Sequence, residues 1–115
     1  MEIVEASLNG IPLLKVTGEV DHSTSPVLSA AIQKVLSQER SRLLLDLSEC
    51  PYLDSGGLAV ILATVLQVRT EGWLGVIGVN ANVLRLLTIV GLTAEQCLRL
   101  FASATEASRA LAGNE

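Results

Sequence analysis

At 115 residues the chain is long enough for one packed core and too short for two. Half of its residues are hydrophobic and 17% are charged, which excludes a disordered chain, yet no apolar run reaches the ~20 residues needed to span a bilayer. Acidic residues outnumber basic ones 12 to 8, and Lys15, Lys34, Arg40, Arg42, Arg69, Arg85, Arg99 and Arg109 are scattered, so no basic stripe suits nucleic acid or an anionic membrane.

The first residues, Met1-Glu2-Ile3-Val4-Glu5, are acidic and lack a basic stretch followed by an apolar one. No secretory leader is read there, and a cytoplasmic, non-inserted protein is expected. Cys50 and Cys97 stand far apart with no second cysteine or histidine nearby, so neither a zinc pattern nor a redox pair forms and free thiols are expected.

Residues 2–8 alternate, with Val4, Ala6 and Leu8 on one face, and Asn9-Gly10 supplies the positive-φ pair of a tight turn. Residues 11–17 form the returning strand. A polar loop follows, Gly18-Glu19-Val20-Asp21-His22-Ser23-Thr24, and Ser25-Pro26 reads as a cap and a first helical proline. Leu28, Ala31, Ile32, Val35 and Leu36 then recur at helical spacing, predicting an amphipathic helix packed on a sheet.

Leu43-Leu44-Leu45-Asp46-Leu47 suits a central parallel strand covered on both faces. It leads into Tyr52-Leu53-Asp54-Ser55-Gly56-Gly57-Leu58, a polar turn that opens an apolar helical pattern running to about Arg69. Asp54 or Ser55 is placed to cap that helix, whose first amide groups lack partners. Gly56 and Gly57 remove bulk beside Ser55, leaving its hydroxyl open to close approach. The helix is apolar around most of its surface and is expected to be largely covered.

Residues 73–79 form the next strand, and Gly75 and Gly78 within it suggest a close neighbouring backbone or helix. Trp73, the only tryptophan, reads as cover over a sheet edge or helix end before it reads as an interface anchor. Asn80 caps a helix carrying Val83, Leu84, Leu86, Leu87 and Val90, and Gly91 stops it. Residues 97–101 make a short last strand. Ser103-Ala104-Thr105-Glu106 fits a capping box that opens a small helix ending before Gly113.

The order is therefore a hairpin followed by alternating helices and strands. This is an α/β domain over residues 1–115, an N-terminal β-hairpin followed by βαβ units in a mixed, largely parallel sheet with about four helices. Binding residues of such sheets gather beyond the carboxyl ends of the strands. The loops at residues 21–24 and 54–57 are thus expected to share one end.

Four stretches, in order and spacing, resemble the successive signatures of the STAS domain found in bacterial anti-sigma factor antagonists. They are Thr17-Gly18-Glu19-Val20-Asp21-His22-Ser23-Thr24, Leu44-Leu45-Asp46-Leu47, Leu53-Asp54-Ser55-Gly56-Gly57-Leu58 and Ile89-Val90-Gly91-Leu92. The resemblance implies a regulatory binding module without catalytic residues, cofactor or metal. Its members bind an anti-sigma factor that is also a serine kinase, which frees the sigma factor. The kinase phosphorylates the serine after the aspartate, here Ser55 after Asp54, and a phosphatase reverses the mark. The implied partner surface comprises Asp21, His22, Ser23, Thr24, Asp54, Ser55, Gly56 and Gly57.

Two positions depart from the pattern. Many antagonists carry a second serine or threonine where this chain has Gly56, and a glycine where it has Ala59. Asp-Ser-Gly-Gly-Leu-Ala is also similar to the turn in the STAS subunit of bacterial phospholipid-transport ABC systems. That similarity implies an alternative, a subunit bound to the transport ATPase without a phosphorylation switch.

Ser55, His22 and one of Asp21, Asp46 or Asp54 supply the residue types of a hydrolytic triad. A nucleophile elbow, however, wants glycine two places before the serine, where Leu53 stands, although Gly57 fits. No phosphate-binding loop of the GxxxxGK type is present, so the chain is not read as a kinase.

Overall fold

A computed structural model of the chain describes residues 1–38 and 41–112. Its elements run β1 (Glu2–Leu8), β2 (Ile11–Thr17), α1 (Ser25–Leu36), β3 (Arg42–Glu49), α2 (Ser55–Val68), β4 (Trp73–Ile77), α3 (Ala81–Ile89), a 3-10 turn (Leu92–Ala94), β5 (Leu98–Phe101) and α4 (Ala104–Leu111). The five strands lie in sequence order, β1 antiparallel to β2 and the remaining pairs parallel. The α/β reading thus holds, with the hairpin at one edge and its turn at Asn9 (φ 52°) and Gly10 (φ 80°).

The pleat divides the core in two. Leu14, Val16, Leu43, Leu45, Leu74 and Val76 point to the face covered by α1, α2 and α3, while Ile11, Leu13, Leu44 and Ile77 point to the face covered by α4. β3 is buried on both faces along residues 43–47, as its continuous apolar run requires. Trp73 is buried on the α4 side with the Arg99 guanidinium 4.3 Å from its ring centroid, a cation–π contact that makes it structural cover.

Several local expectations shift. Val4 is exposed, and Ile3 of β1 packs on the larger core instead, because short α4 leaves the outer part of its own face open. Ser25 is not the cap of α1. Thr24 holds that position without a side-chain cap bond, Ser25 is the buried first residue and Pro26 follows it. Thr24 Oγ1 makes no cap bond because it already accepts from the Asp21 amide at 2.8 Å.

β4 ends at Ile77 rather than Val79, since Gly78 turns the chain at φ 73°. A side chain there would sit 2.6 Å from Ser48 Cβ, and one at Gly75 would sit 2.6 Å from Leu44 Cδ2, so both glycines do mark close approaches. Asn80 Oδ1 caps α3 by accepting from Val83 N at 2.9 Å, and Gly91 ends the helix region at φ 82°. The capping box at α4 is displaced by one residue. Ser103 Oγ accepts from Glu106 N at 3.1 Å, but Glu106 Oε2 accepts from Ala102 N at 2.6 Å.

The largest departure is in α2. Gly57, Ile61, Thr64, Val65 and Val68 face the core, yet Leu62 and Leu66 are 41% and 50% exposed. A helix lying on one face of a sheet buries one side, and the opposite side of α2 is apolar without being covered.

Candidate partner-binding surface

The residues of interest lie where β2 and β3 end and the chain turns into α1 and α2. The loop after β2 and the turn after β3 form a short parallel bridge between Val20 and Leu53. Val20 N donates to the Tyr52 carbonyl at 3.1 Å, and Asp54 N donates to the Val20 carbonyl at 3.1 Å. Both loops therefore share one end of the sheet, as their places in the chain require.

Asp54 completes the lacing. Its Oδ1 accepts from Gly56 N at 2.7 Å and Gly57 N at 3.2 Å, which caps α2, and its Oδ2 accepts from His22 N at 3.1 Å. Of the two candidate caps, Asp54 is the one used. Ser55 becomes the first residue of α2, exposed, and among the described residues its hydroxyl makes no hydrogen bond.

Asp21 organises the first loop in the same way. Its Oδ1 accepts from the Ser23 hydroxyl at 2.7 Å, Ser23 N at 2.9 Å, Thr24 N at 3.0 Å and the Thr24 hydroxyl at 3.1 Å. These bonds, the one from the Ser23 hydroxyl foremost, hold the Asp21 carboxyl below its ordinary value. His22 and Ser23 project at the surface, while Asp21 and Thr24 are half-buried. Beneath the loops Cys50 is buried, and desolvation pushes its thiol up.

The two glycines act differently from one another. Gly57 is buried, and a Cβ on it would meet Val20 Cγ1 at 2.9 Å and Leu53 Cγ at 3.0 Å. It closes the packing under the turn and offers no surface, which corrects its expected place beside Ser55. Gly56 is half-buried, and a Cβ there would lie 3.1 Å from Asp54 Oδ1, 3.2 Å from Ser25 Oγ and 3.3 Å from His22 Cα. Its bareness lets the first loop dock against the turn.

Ser55, Ala59, Leu62 and Leu66 fall at helical spacing along the exposed side of α2. The serine thus heads an apolar stripe that sequence reasoning did not find. The helix is apolar on every side, so periodicity singled out no outer face.

No triad is assembled. Asp21 and Asp54 bind loop groups, Asp46 accepts from Ser48 N at 2.9 Å and Ser48 Oγ at 2.6 Å, and no Ser55–His22 hydrogen bond is present among the described residues. Among the described residues no helix is long and apolar enough to cross a membrane, and no group of His, Cys, Asp and Glu side chains is placed to hold a metal ion.

Residues 5–101 match the family model described as "Mlab, STAS domain", and the chain belongs to the STAS family. It is 29% identical over 111 residues to the anti-sigma-F factor antagonist RsfB of Mycobacterium tuberculosis, covering 96% of this chain and 89% of that protein. It is 32% identical over 94 residues to the anti-sigma-B factor antagonist of Listeria monocytogenes, covering 81% and 82%. The crystal structure of an anti-sigma factor antagonist from Mycobacterium paratuberculosis superposes with a TM-score of 0.80 at 28% identity, covering 94% of this chain and 93% of that one. These relatives are regulatory binding proteins, and the hydrolase reading is set aside.

Proposed function

We propose that the protein is a cytoplasmic anti-sigma factor antagonist. It binds an anti-sigma factor serine kinase and so releases a sigma factor. Phosphorylation of Ser55 ends that binding, and a phosphatase restores it. The observation that carries this reading is the contrast at the turn: Asp54 is bonded three ways, while the exposed Ser55 hydroxyl beside it is free to react.

The charge balance explains how such a switch would act. A phosphate adds about −1.5 to −2 charge, taking the formal net charge from −4 to roughly −6. Within the domain the α2 N-terminus favours the new charge and Asp54 opposes it, so the fold is retained. At an interface, an unpaired charge costs on the order of 2 to 5 kcal/mol. At about 1.4 kcal/mol per decade, binding weakens roughly 30-fold to several thousandfold. The partner surface would comprise His22, Ser23, Ser55 and Gly56, framed by Asp21, Thr24 and Asp54, and continue along Leu62 and Leu66.

Gly56 and Ala59 favour a second reading, the ATPase-bound subunit of a phospholipid-transport system without a switch. The two are separated by intact mass measurement after incubation with ATP and the serine kinases of the cell's own extract, beside Ser55→Ala. One phosphate on the native chain and none on the variant supports the antagonist. No addition, with a transport ATPase captured instead, supports the second reading.

A further inference from the structure

A cleft of about 220 Å³ opens between residues 51–53 and the first two turns of α3. Leu53, Val83 and Leu86 form its apolar floor, while Tyr52, 52% exposed, and Arg85 stand at its rim. Its volume falls below the ~300 Å³ at which small-molecule sites begin, and suits one large apolar side chain.

The walls are fixed before anything binds. Asn80 Nδ2 donates to the Pro51 carbonyl at 3.0 Å while Asn80 Oδ1 caps α3, so one residue ties the two sides together. The Tyr52 carbonyl accepts from Val20 N at 3.1 Å and from Cys50 Sγ at 3.3 Å. A preformed apolar cleft spares an incoming side chain most of the ordering cost of binding, which is the character of an interface anchor point.

Charge completes the description of the occupant. Among the described residues Arg85 is the one charged side chain lining the cleft, in a chain of net charge −4, and its Nη2 donates a long 3.4 Å bond to Asn82 Oδ1. One wall of the cleft, residues 51–53, leads through Asp54 into Ser55 at the start of α2. We infer that it receives a large apolar side chain flanked by a carboxylate, presented by the anti-sigma factor. The identity of that partner rests on the function proposed above; the chemistry of the cleft does not.

The test titrates the ¹⁵N-labelled full chain with three blocked dipeptides, acetyl-Phe-Glu-amide, acetyl-Phe-Lys-amide and acetyl-Ala-Glu-amide. The first should shift the amide signals of Leu53, Val83, Arg85 and Leu86 at millimolar concentration. The lysine peptide should bind about two- to fivefold more weakly, the range of an exposed ion pair. The alanine peptide should leave those signals in place. Arg85→Glu should reverse the preference between the first two, and Arg85→Gln should erase it.

Shifts that are absent from the cleft, or equal for Glu and Lys, overturn the assignment. Saturating acetyl-Phe-Glu-amide should also weaken binding of the purified anti-sigma factor, and an unchanged affinity overturns the occupant. Ser55 modification is read separately by mass, so a lost switch and a lost cleft are distinct results.

Discussion

The amide of His22 donates to Asp54 Oδ2 at 3.1 Å across 32 positions of sequence. One carboxylate therefore serves as helix cap and as the clasp between two loops. Asp54→Ala should lose both. The cap is worth about 1 kcal/mol and a hydrogen bond to a charged group about 1.5–3, so a loss of about 2.5–4 kcal/mol is expected. Urea unfolding checks the magnitude. Hydrogen exchange at the His22 amide checks the clasp, and should quicken far more than exchange in β3.

Gly56 and Gly57 separate under the same substitution. Alanine in place of glycine gains up to about 1 kcal/mol in a helix, while overpacking costs about 1–3. At position 57 the added carbon meets Val20 and Leu53 at 3.0 Å or less, so Gly57→Ala should destabilise by about 1–2 kcal/mol. At position 56 the nearest atoms, Asp54 Oδ1, Ser25 Oγ and His22 Cα, lie at 3.1, 3.2 and 3.3 Å, tight without overlapping, so Gly56→Ala should cost less than Gly57→Ala, about 0–1 kcal/mol. Paired thermal denaturation curves decide this.

Asp21 makes the first loop acid-sensitive. Hydrogen bonds lower its carboxyl below the ordinary 3.8. A group whose folded value is depressed contributes stability above the unfolded value and loses it as pH falls through the folded one. Native protein should therefore lose stability relative to Asp21→Asn as pH drops below about 3.8, and the gap between the two should be constant from pH 5 to 7. Urea midpoints across that range give the comparison.

The two sides of α2 should respond in opposite ways. Ile61 is fully buried, and Ile61→Ala should cost about 2–5 kcal/mol of stability. Leu62 and Leu66 are on the open side, so Leu62→Ser and Leu66→Ser should change stability by no more than about 0.5 kcal/mol. In the proposed complex the same two changes should weaken partner binding by at least about tenfold. Calorimetric titration beside denaturation separates the effects.

Where a short signal dictated the backbone, the chain could be read directly: Asn9-Gly10 for the hairpin, Asn80 for the α3 cap, the apolar run 43–47 for a doubly covered strand. What escaped depended on which neighbour arrives. Thr24 stands before α1 without a side-chain cap bond because its hydroxyl accepts from the Asp21 amide, a bond made only once the loop has folded. Gly57 faces inward because Leu53 and Val20 pack there, and the outer stripe of α2 was invisible because every side of that helix is apolar. The Ser55 turn itself was legible, but the Asp54–His22 clasp was not, since residue spacing carries no trace of a backbone amide 32 positions away.

Trp73 opens β4, at the amino end of the parallel strands, whereas Ser55 and its loops lie beyond the carboxyl ends. The sole indole, held under Arg99 on the α4 face, is thus remote from the turn. Its intrinsic fluorescence should therefore report global unfolding and change little when Ser55 is modified. Unfolding of the phosphorylated and unmodified chains can then be compared through one indole at the opposite end of the sheet from the modified turn.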